Sequence, residues 1–369
     1  MRKITFPHMG ELRIPVKALI QELGQEALEP PKISKKTLDL GVQYSPEFAC
    51  LPLKINLGNF IEALEMGADT IIMGGGCGPC RFGFYGEVQQ ELLREMGYQF
   101  EMLVLEPDLL EDYRRLKQVF GRVNCRKIAR AIYLAIKKLR VLDSIYKMVL
   151  SGRASEQVEG EVDRLYDHFL EQLDLATERA RINQLHKEYS NLIKATAGPL
   201  KKGVEINIGV LGEIYLIIEP FVNLNIEKKL GQLGVIVRRE INMSSWLAHF
   251  LHLSNEMKLI EKAARGYLRN FIGGHGLDTI GNTVRYARKG YDGIIQVAPF
   301  TCMPEIIAQT ILPAVSVREG IPVLSLIFDE HTADAGLNTR LEAFVDLLTR
   351  KKRKQLEGSI YHEQVLSGG

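Results

Sequence analysis

Short apolar runs that alternate with helix-forming stretches limit this chain to parallel α/β folds. From Lys201 onward, β-branched runs occur at residues 206–211, 235–241, 294–298 and 323–328. Helical periodicity lies between them at residues 222–233, 244–269, 279–289 and 304–318, and a last helix begins at Leu337. Repeated alternation of this kind predicts a parallel sheet with right-handed crossovers.

The first 106 residues carry the same alternation in shorter form. Strands are predicted at residues 4–7, 70–73 and 100–105, with helices at 12–23 and 87–96. Parallel α/β layering is therefore predicted at both ends of the chain.

An internal echo links these two ends. Gly67-Ala68-Asp69 leads into an apolar strand and reaches Cys77 eight residues after Asp69. Gly290-Tyr291-Asp292 leads into a similar strand and reaches Cys302 ten residues after Asp292. Because parallel sheets place functional loops beyond their strand ends, two similar lobes are expected to present cysteines to one cleft.

The middle of the chain has a different pattern. Residues 107–197 contain almost no glycine and show apolar residues at helical spacing. The segment Thr196–Leu200 then breaks that pattern. We predict an N-terminal α/β lobe at 1–106, a helical region at 107–200 and a C-terminal α/β lobe at 201–369.

Composition excludes several classes of protein. The 369 residues are 46% hydrophobic and 25% charged, which is typical of a folded globular chain. A formal net charge of +2 gives no overall attraction to nucleic acid or to an acidic membrane. The chain shows no signal-peptide pattern and no long apolar span, so we expect a cytoplasmic protein. It shows no P-loop motif, so no nucleotide site of that type is indicated. The basic run Arg350–Lys354 is interpreted as a solvated helix end.

The cysteines carry the chemical information. There are five, too few and too scattered for a secreted disulfide framework. Cys125 lies in a helical pattern and is predicted to be a small buried apolar residue. Cys50, Cys77, Cys80 and Cys302 instead lie in Pro- and Gly-rich turns near helix starts, where a lowered thiol pKa is expected. Thiolates bind metals, so these four form a candidate metal or redox site.

Three kinds of site remain open from the residues. A structural zinc site usually has two close CxxC pairs, whereas only Cys77 and Cys80 form one here. A cluster seated between domains tolerates the wide spacing to Cys50 and Cys302 better. A thiol–disulfide pair at Cys77 and Cys80 would leave the other two cysteines unexplained.

Two further loops stand out. Gly273-Gly274-His275-Gly276 is predicted to cap the long preceding helix rather than to bind an anion before Thr279. The run 205–211, followed by Gly212-Glu213, is similar to a strand with its functional loop.

Several motifs resemble one family. They are Phe6-Pro7-His8-Met9-Gly10; Ser45-Pro46-Glu47 with Cys50-Leu51-Pro52; Gly78-Pro79-Cys80-Arg81-Phe82-Gly83; Pro299-Phe300-Thr301-Cys302; and Asp329-Glu330-His331. They resemble the 2-hydroxyacyl-CoA (2-hydroxyglutaryl-CoA) dehydratase component D-like proteins, in particular the branch described as CoA protein activase or as a domain of unknown function. The resemblance spans both α/β lobes and leaves out the helical middle.

The resemblance implies two flavodoxin-like lobes that hold a [4Fe–4S] cluster between them. Carried over here, the cluster ligands are Cys50, Cys80 and Cys302, with Cys77 as a fourth ligand or a gate. Cluster reduction coupled to protonation needs a nearby acid, for which Glu305, Glu47 and His331 are the candidates. Lys54 and Arg81 could offset the negative charge of the cluster.

The resemblance also implies partners. Electrons in this family come from a separate ATP-hydrolysing activator, so this chain would be the electron acceptor for a reduction or dehydration. A small-molecule or acyl-CoA substrate and a homodimer are expected on the same basis. The alternative is a non-catalytic scaffold or cluster-maturation protein with a four-cysteine metal site.

Overall fold

Two separate four-stranded sheets, both entirely parallel, organise the molecule. A computed structural model describes residues 1–76, 79–106, 109–121, 123–239, 242–244 and 256–367. Helices flank each sheet, so the predicted α/β class with two flavodoxin-like lobes is confirmed.

The first lobe has the strand order β2-β1-β3-β4. Its strands are β1 (Lys3–Thr5), β2 (Glu26–Ala27), β3 (Thr70–Gly74) and β4 (Glu101–Leu105). Its helices are α1 (Arg13–Glu22), α2 (Lys35–Tyr44), α3 (Leu51–Glu65) and α4 (Tyr85–Glu95), with a short 3-10 helix at Arg81–Phe84. The central strand β3 is the one predicted to lead toward Cys77.

The second lobe repeats this arrangement in the order β6-β5-β7-β8. Its strands are β5 (Asn207–Gly212), β6 (Ile236–Arg238), β7 (Gly293–Pro299) and β8 (Val323–Phe328). Its described helices are α9 (Ile214–Ile218), α10 (Ile226–Gln232), α11 (Glu256–Ala264), α12 (Gly276–Arg288), α13 (Met303–Glu319) and α14 (Asp334–Ser367). Every residue of β7 is buried, as expected for a central parallel strand.

Two aspartates occupy equivalent positions in the two lobes. The Asp69 carboxylate accepts a hydrogen bond from Lys3 N at 3.0 Å, and the Asp292 carboxylate accepts one from Asn207 N at 2.8 Å. Each aspartate directly precedes the central strand of its lobe and holds the start of the neighbouring strand. Their role is therefore structural, and the echo in the sequence reflects this shared anchor.

The helical middle consists of α5 (Leu109–Phe120), α6 (Cys125–Gly152), α7 (Glu161–Leu175) and α8 (Arg179–Ala195). Helices α6, α7 and α8 share an apolar core to which Ile14 and Ala18 of α1 contribute. Val119 of α5 instead packs with Ile4 and Leu103 in the core of the first lobe. That core therefore extends past residue 106.

Several local predictions differ from the structure. The basic run Arg350–Lys354 lies inside α14, where Lys352 pairs with Asp292 at 2.7 Å, so it is not a free helix end. Of the helix predicted at 244–269, residues 245–255 lie outside the described residues, and the described helix ends at Ala264. Within the described chain, none of the helices combines the length and apolarity needed to cross a bilayer.

Candidate functional site

Three of the four predicted site cysteines lie directly before helices. Cys50 precedes α3, Cys302 precedes α13 and Cys80 precedes the 3-10 helix. Proline at the second helical position follows both Cys50 and Cys302, where its missing N–H costs no hydrogen bond. Cys77 lies outside the described residues, so its role stays a prediction.

Contacts between the lobes bring these loops together. Thr301 donates a side-chain hydrogen bond to the Phe48 carbonyl at 3.3 Å, and Arg81 donates one to the same carbonyl at 2.7 Å. The loops that carry Cys302, Cys50 and Cys80 are thus tied to one backbone oxygen. The three thiols are also close enough for charge on Cys80 to act on Cys50, and charge on Cys50 on Cys302.

The glycine loop 273–276 packs on the cysteine site. A Cβ placed on Gly274 would lie 3.7 Å from Cys80 Sγ, and one on Gly273 would lie 2.9 Å from Cys80 N. Both glycines have positive φ angles, +85° and +47° for Gly273 and Gly274 respectively. The loop leads into α12, so the prediction that it caps the preceding helix is wrong. The absence of a side chain at Gly273 and Gly274 permits close packing on Pro79 and Cys80.

The predicted lowering of thiol pKa values is wrong for the protein without a bound metal. Burial raises the pKa of Cys50, Cys80 and Cys302, most strongly that of Cys302. Backbone N–H groups at the helix starts act in the opposite direction but do not outweigh the loss of solvation. The thiols are therefore neutral at pH 7 until something supplies positive charge.

Tyr85 is a site residue that the sequence did not single out for a role. Its hydroxyl is in close contact with Cys50 Sγ, and its side chain is buried. Burial, reinforced by Cys50, raises the pKa of Tyr85 well above its usual value. The phenol thus remains protonated and is placed to donate a hydrogen bond to a Cys50 thiolate.

Glu213 is a half-buried carboxylate beside the three cysteines. It follows β5 and caps α9, accepting hydrogen bonds from Tyr215 N at 3.1 Å and Leu216 N at 3.0 Å. Its negative charge helps to raise the pKa of all three thiols. The sequence marked its position, after a strand, but not its proximity to the cysteines.

His275 lies near three carboxylates. Its Nδ1 is 2.9 Å from Asp278 Oδ2. Burial works to lower the pKa of His275, but the bond to Asp278 and the charges of Glu213 and Glu305 outweigh it, so the pKa is raised. The protonated form of His275 is therefore favoured beside these carboxylates.

Glu305 is the best placed of the three predicted proton donors. It is fully buried three residues after Cys302 and accepts hydrogen bonds from Thr279 at 3.0 Å and Gln296 at 2.9 Å. Burial raises the pKa of Glu305 to about 7, against the effect of those two hydrogen bonds. This carboxyl can both release and take up a proton near neutral pH.

The other two proton-donor candidates are exposed. Glu47 lies on the surface three residues before Cys50, and His331 is exposed on the loop after β8. The neighbouring Glu330 pairs with Lys54 Nζ at 2.7 Å, and the Lys54 side chain is 5% exposed. Lys54 therefore joins the two lobes beside the site, and Arg81 positions the Cys50 loop.

Cys125 does not belong to the site and is not buried. It is the first residue of α6 and is exposed. The helical pattern was correct, but the residue lies at the end of the helix, where it faces solvent. The predicted burial of Cys125 is wrong.

Thr301 has a backbone conformation that is rare for a residue with a side chain. Its φ angle is +67°, immediately before Cys302. Strained residues of this kind persist where surrounding contacts hold them, and they are frequent at functional sites. The bond from Thr301 to Phe48 is one such contact.

In the described part of the chain, no group of three or more His, Cys, Asp or Glu side chains is placed to hold a metal ion. The ligands of a cubane cluster bind different irons and lie farther apart than the ligands of one ion. No family model and no curated protein matches the chain.

Proposed function

We propose that this chain is an iron–sulfur protein of the 2-hydroxyacyl-CoA dehydratase/activase type. A [4Fe–4S] cluster would lie between the lobes on Cys50, Cys80 and Cys302, with Cys77 as a fourth ligand or a gate. The chain would accept low-potential electrons from an ATP-hydrolysing activator for a reduction or dehydration of a small-molecule or acyl-CoA substrate. It would work in the cytoplasm, where reducing conditions keep its cysteines as thiols.

The observation that carries the proposal is the convergence of cysteines from distant parts of the chain. Cys50 and Cys80 come from the first lobe and Cys302 from the second, and Phe48 links their loops. A thiol–disulfide function would need only Cys77 and Cys80 and gives no reason for the other two. Motifs that resemble the dehydratase family lie on these same loops.

The donor set fits the chemistry of such a cluster. Thiolates are soft ligands that suit iron–sulfur clusters, which supply electron storage when bound. Glu213 places a negative charge beside the thiols, which disfavours their ionisation without a bound metal. Metal binding would replace the thiol protons and compensate the carboxylate. Gly273 and Gly274, which have no side chain, leave the backbone close to Cys80.

The surrounding residues have separate tasks in this proposal. Tyr85 donates a hydrogen bond to Cys50, which lowers the charge density on its sulfur. Glu305 holds a proton beside Cys302 and exchanges it near neutral pH. Lys54 with Glu330, and Thr301 with Phe48, hold the two lobes at a fixed separation around the thiols.

Anaerobic purification with iron and sulfide analysis, followed by EPR after dithionite reduction, tests the proposal. We expect about four irons per chain, as a [4Fe–4S] cluster requires. Cys50→Ser, Cys80→Ser and Cys302→Ser should each lose most of the chromophore. Cys125→Ser is the matched control, because its exposed thiol lies away from the site.

Other outcomes would contradict the proposal. A colourless anaerobic protein with one zinc per chain would favour the metal-binding scaffold. Full iron content in any of the three site variants would exclude that cysteine as a ligand. A wild-type chain that stays free of iron after reconstitution would exclude the cluster.

A further inference from the structure

A cavity of about 220 Å³ lies where the two lobes and the helical region meet. Its described walls come from Gly10–Leu12 before α1, from α6 and α7, and from the second lobe around α9 and α10. None of the described site cysteines, Glu213 or Glu305 lines it. The cavity is therefore separate from the cysteine site.

One face of α6 supplies much of the cavity wall. The residues on that face are Leu139, Leu142, Asp143 and Tyr146, and Arg153 continues the same spacing directly after the last residue of the helix. This face presents apolar groups, an aromatic ring, a carboxylate and a guanidinium together. Such a mixture is typical of a site for a small polar molecule.

Arg153 has an unsatisfied donor. Its side chain is only 9% exposed, and Nε pairs with Asp163 Oδ1 at 2.8 Å. Its Nη1 is buried and finds no hydrogen-bond partner among the described residues. Buried donors without an acceptor are rare in folded proteins and point to a bound group or water. A ligand oxygen would satisfy this guanidinium.

A second guanidinium, that of Arg239, contacts Tyr146 on the same wall. Arg239 lies 4.8 Å from the centroid of the Tyr146 ring, and Arg153 lies 5.8 Å from it. Arg239 pairs with Glu227 at 3.4 Å, and the Tyr146 hydroxyl donates to Glu227 at 2.6 Å. These contacts fix Tyr146 and Arg239, which leaves Arg153 as the side chain with spare hydrogen-bonding capacity.

The charge of the lining argues against a simple anion. Three cations line the described walls, Arg153, Lys228 and Arg239. The carboxylates there number five and are Glu11, Asp143, Asp163, Asp167 and Glu227. The described lining thus carries three positive and five negative formal charges, a net of −2. A ligand with only negative charge would be repelled.

Two lining carboxylates, Asp167 and Asp143, have no salt bridge to a described residue. Asp167 is exposed, and the half-buried one is Asp143. It accepts a hydrogen bond from Ser244 N at 2.8 Å, but no salt bridge joins it to a described residue. Asp163, Glu227 and Glu11 each have a basic partner within 3.4 Å. Burial raises the pKa of Asp143, against the opposing effects of the Ser244 hydrogen bonds and of the Arg239 charge.

We propose that this cavity binds a small zwitterion of the amino-acid type, with its carboxylate on Arg153 and its ammonium group on Asp143. The two groups lie along the same helix face and its continuation, on opposite sides of Tyr146 in the sequence. The volume suits a molecule of a few carbon atoms, since drug-sized ligands need about 300 Å³ or more. This function is independent of the cysteine site.

Calorimetric titration of the full chain with each of the twenty L-amino acids tests the proposal. For any amino acid that binds, the deaminated carboxylic acid and the decarboxylated amine are titrated next. We expect both to bind at least tenfold more weakly, because each lacks one of the two charges. Asp143→Asn should also weaken binding at least tenfold, while it keeps the acceptor for Ser244 N. Glu171→Gln, on an exposed part of α7, is the matched control and should bind normally.

Three results would overturn the proposal. Absence of binding for all twenty amino acids at millimolar concentration would mean that the cavity holds water only. Equal affinity for the deaminated acid would show that the ligand's ammonium group makes no contact that contributes to binding. Unchanged affinity in both Asp143→Asn and Arg153→Lys would place the binding site elsewhere. If Arg153→Lys does not fold, Asp143→Asn decides alone.

Discussion

Burial decides the protonation of the candidate site, residue by residue. Helix starts and backbone N–H groups favour a thiolate, yet Cys50, Cys80 and Cys302 all have a raised pKa because their surroundings exclude water. The same effect brings the Glu305 pKa to about 7. Charge supplied by a ligand would therefore change the protonation of several groups at once.

Gly273 is a residue whose substitution should disturb the site directly. In Gly273→Ala, the new methyl group would lie 2.9 Å from Cys80 N, and the φ angle of +85° is unfavourable for alanine. We expect the free energy of unfolding to fall by about 2–4 kcal/mol, from left-handed strain plus a backbone clash. Urea denaturation measures the loss.

Gly290→Ala is the matched control for Gly273→Ala. Gly290 has a similar φ angle of +78°, but nothing lies within 4 Å of its added Cβ. Strain alone should cost about 1 kcal/mol. Equal losses in the two variants would mean that the glycine loop does not pack on Cys80 as described.

At the scale of elements, close helix contact positions Cys50. Helices α2 and α3 touch at Gly41 and Gly58, and a Cβ on Gly41 would lie 1.9 Å from the Lys54 carbonyl. Lys54 is on the first turn of α3, the helix that Cys50 precedes. Separation of these helices would move both the cysteine and the Lys54 ion pair.

Gly41→Ala should therefore destabilise the first lobe strongly. The methyl group meets backbone rather than a flexible side chain, so the helices must shift, at a cost of about 3 kcal/mol or more. Gly336→Ala in α14 is the control, because its Cβ meets no atom within 4 Å. Alanine there should be neutral or stabilising by up to about 1 kcal/mol. Thermal unfolding compares the two, and a small loss in Gly41→Ala would contradict the close contact.

Lys138 makes the packing of α6 dependent on pH. Its ammonium group donates to the Asp174 carbonyl at 2.9 Å from a side chain that is 2% exposed. Burial lowers the pKa of Lys138 to about 8, with Asp174 opposing the shift and Lys17 adding to it. The unfolded chain binds this proton up to pH of about 10.5.

The free energy of unfolding should consequently rise with pH between about 8 and 10.5, because the unfolded state binds more protons than the folded state in that range. Lys138→Met should be more stable than wild type at pH 7, by about 1–3 kcal/mol, and this advantage should shrink as pH rises. Urea unfolding at pH 7 and 9.5 measures both effects. Lys147→Met, from an exposed position on α6, should show neither. A pH-independent difference would mean that Lys138 keeps its ordinary pKa.

Elements with a clear period were predictable, and those that depend on distant contacts were not. Strand β7 was visible as a β-branched run, whereas α9 was missed because residues 214–218 are all apolar and show no helical period. The glycines of 273–276 were assigned to the wrong helix, since the sequence does not reveal their contact with Cys80. Local pattern identifies an element, but tertiary contacts decide where it ends.

At the scale of the whole molecule, a carboxylate of the second lobe that accepts hydrogen bonds from the first lobe helps to hold the two together. Glu219 of the second lobe accepts bonds from His8 Nδ1 at 2.9 Å and from Gly10 N at 2.7 Å. A Cβ added to Gly10 would lie only 2.8 Å from the Ile218 carbonyl oxygen, so these two stretches of backbone are close together. The sequence indicated that both lobes supply cysteines. It could not show which loops of the two lobes meet, because that depends on contacts between residues more than 200 positions apart in the chain.

Loss of the Glu219 contacts should loosen the lobes and expose the site thiols. The Glu219 side chain is 4% exposed, so Glu219→Ala leaves the His8 side chain and Gly10 N without their buried acceptor. Removal of one partner from such a pair costs about 3–5 kcal/mol. We expect faster hydrogen exchange in residues 6–12 and 214–222, and faster reaction of Cys50 and Cys302 with a thiol reagent.

Glu65→Ala is the control that shows whether the loss of any carboxylate would have the same effect as the loss of Glu219. Glu65 pairs with Lys36 at 3.3 Å on the surface, where both side chains are about half exposed. An ion pair of that kind contributes less than about 1 kcal/mol, so unfolding and thiol reactivity should stay near wild type. If Glu219→Ala unfolds too readily to study, Glu219→Gln keeps an acceptor and should show a smaller change in the same direction. Thiol reactivity that is unchanged in both Glu219 variants would mean that the cysteine site does not depend on this junction between the lobes.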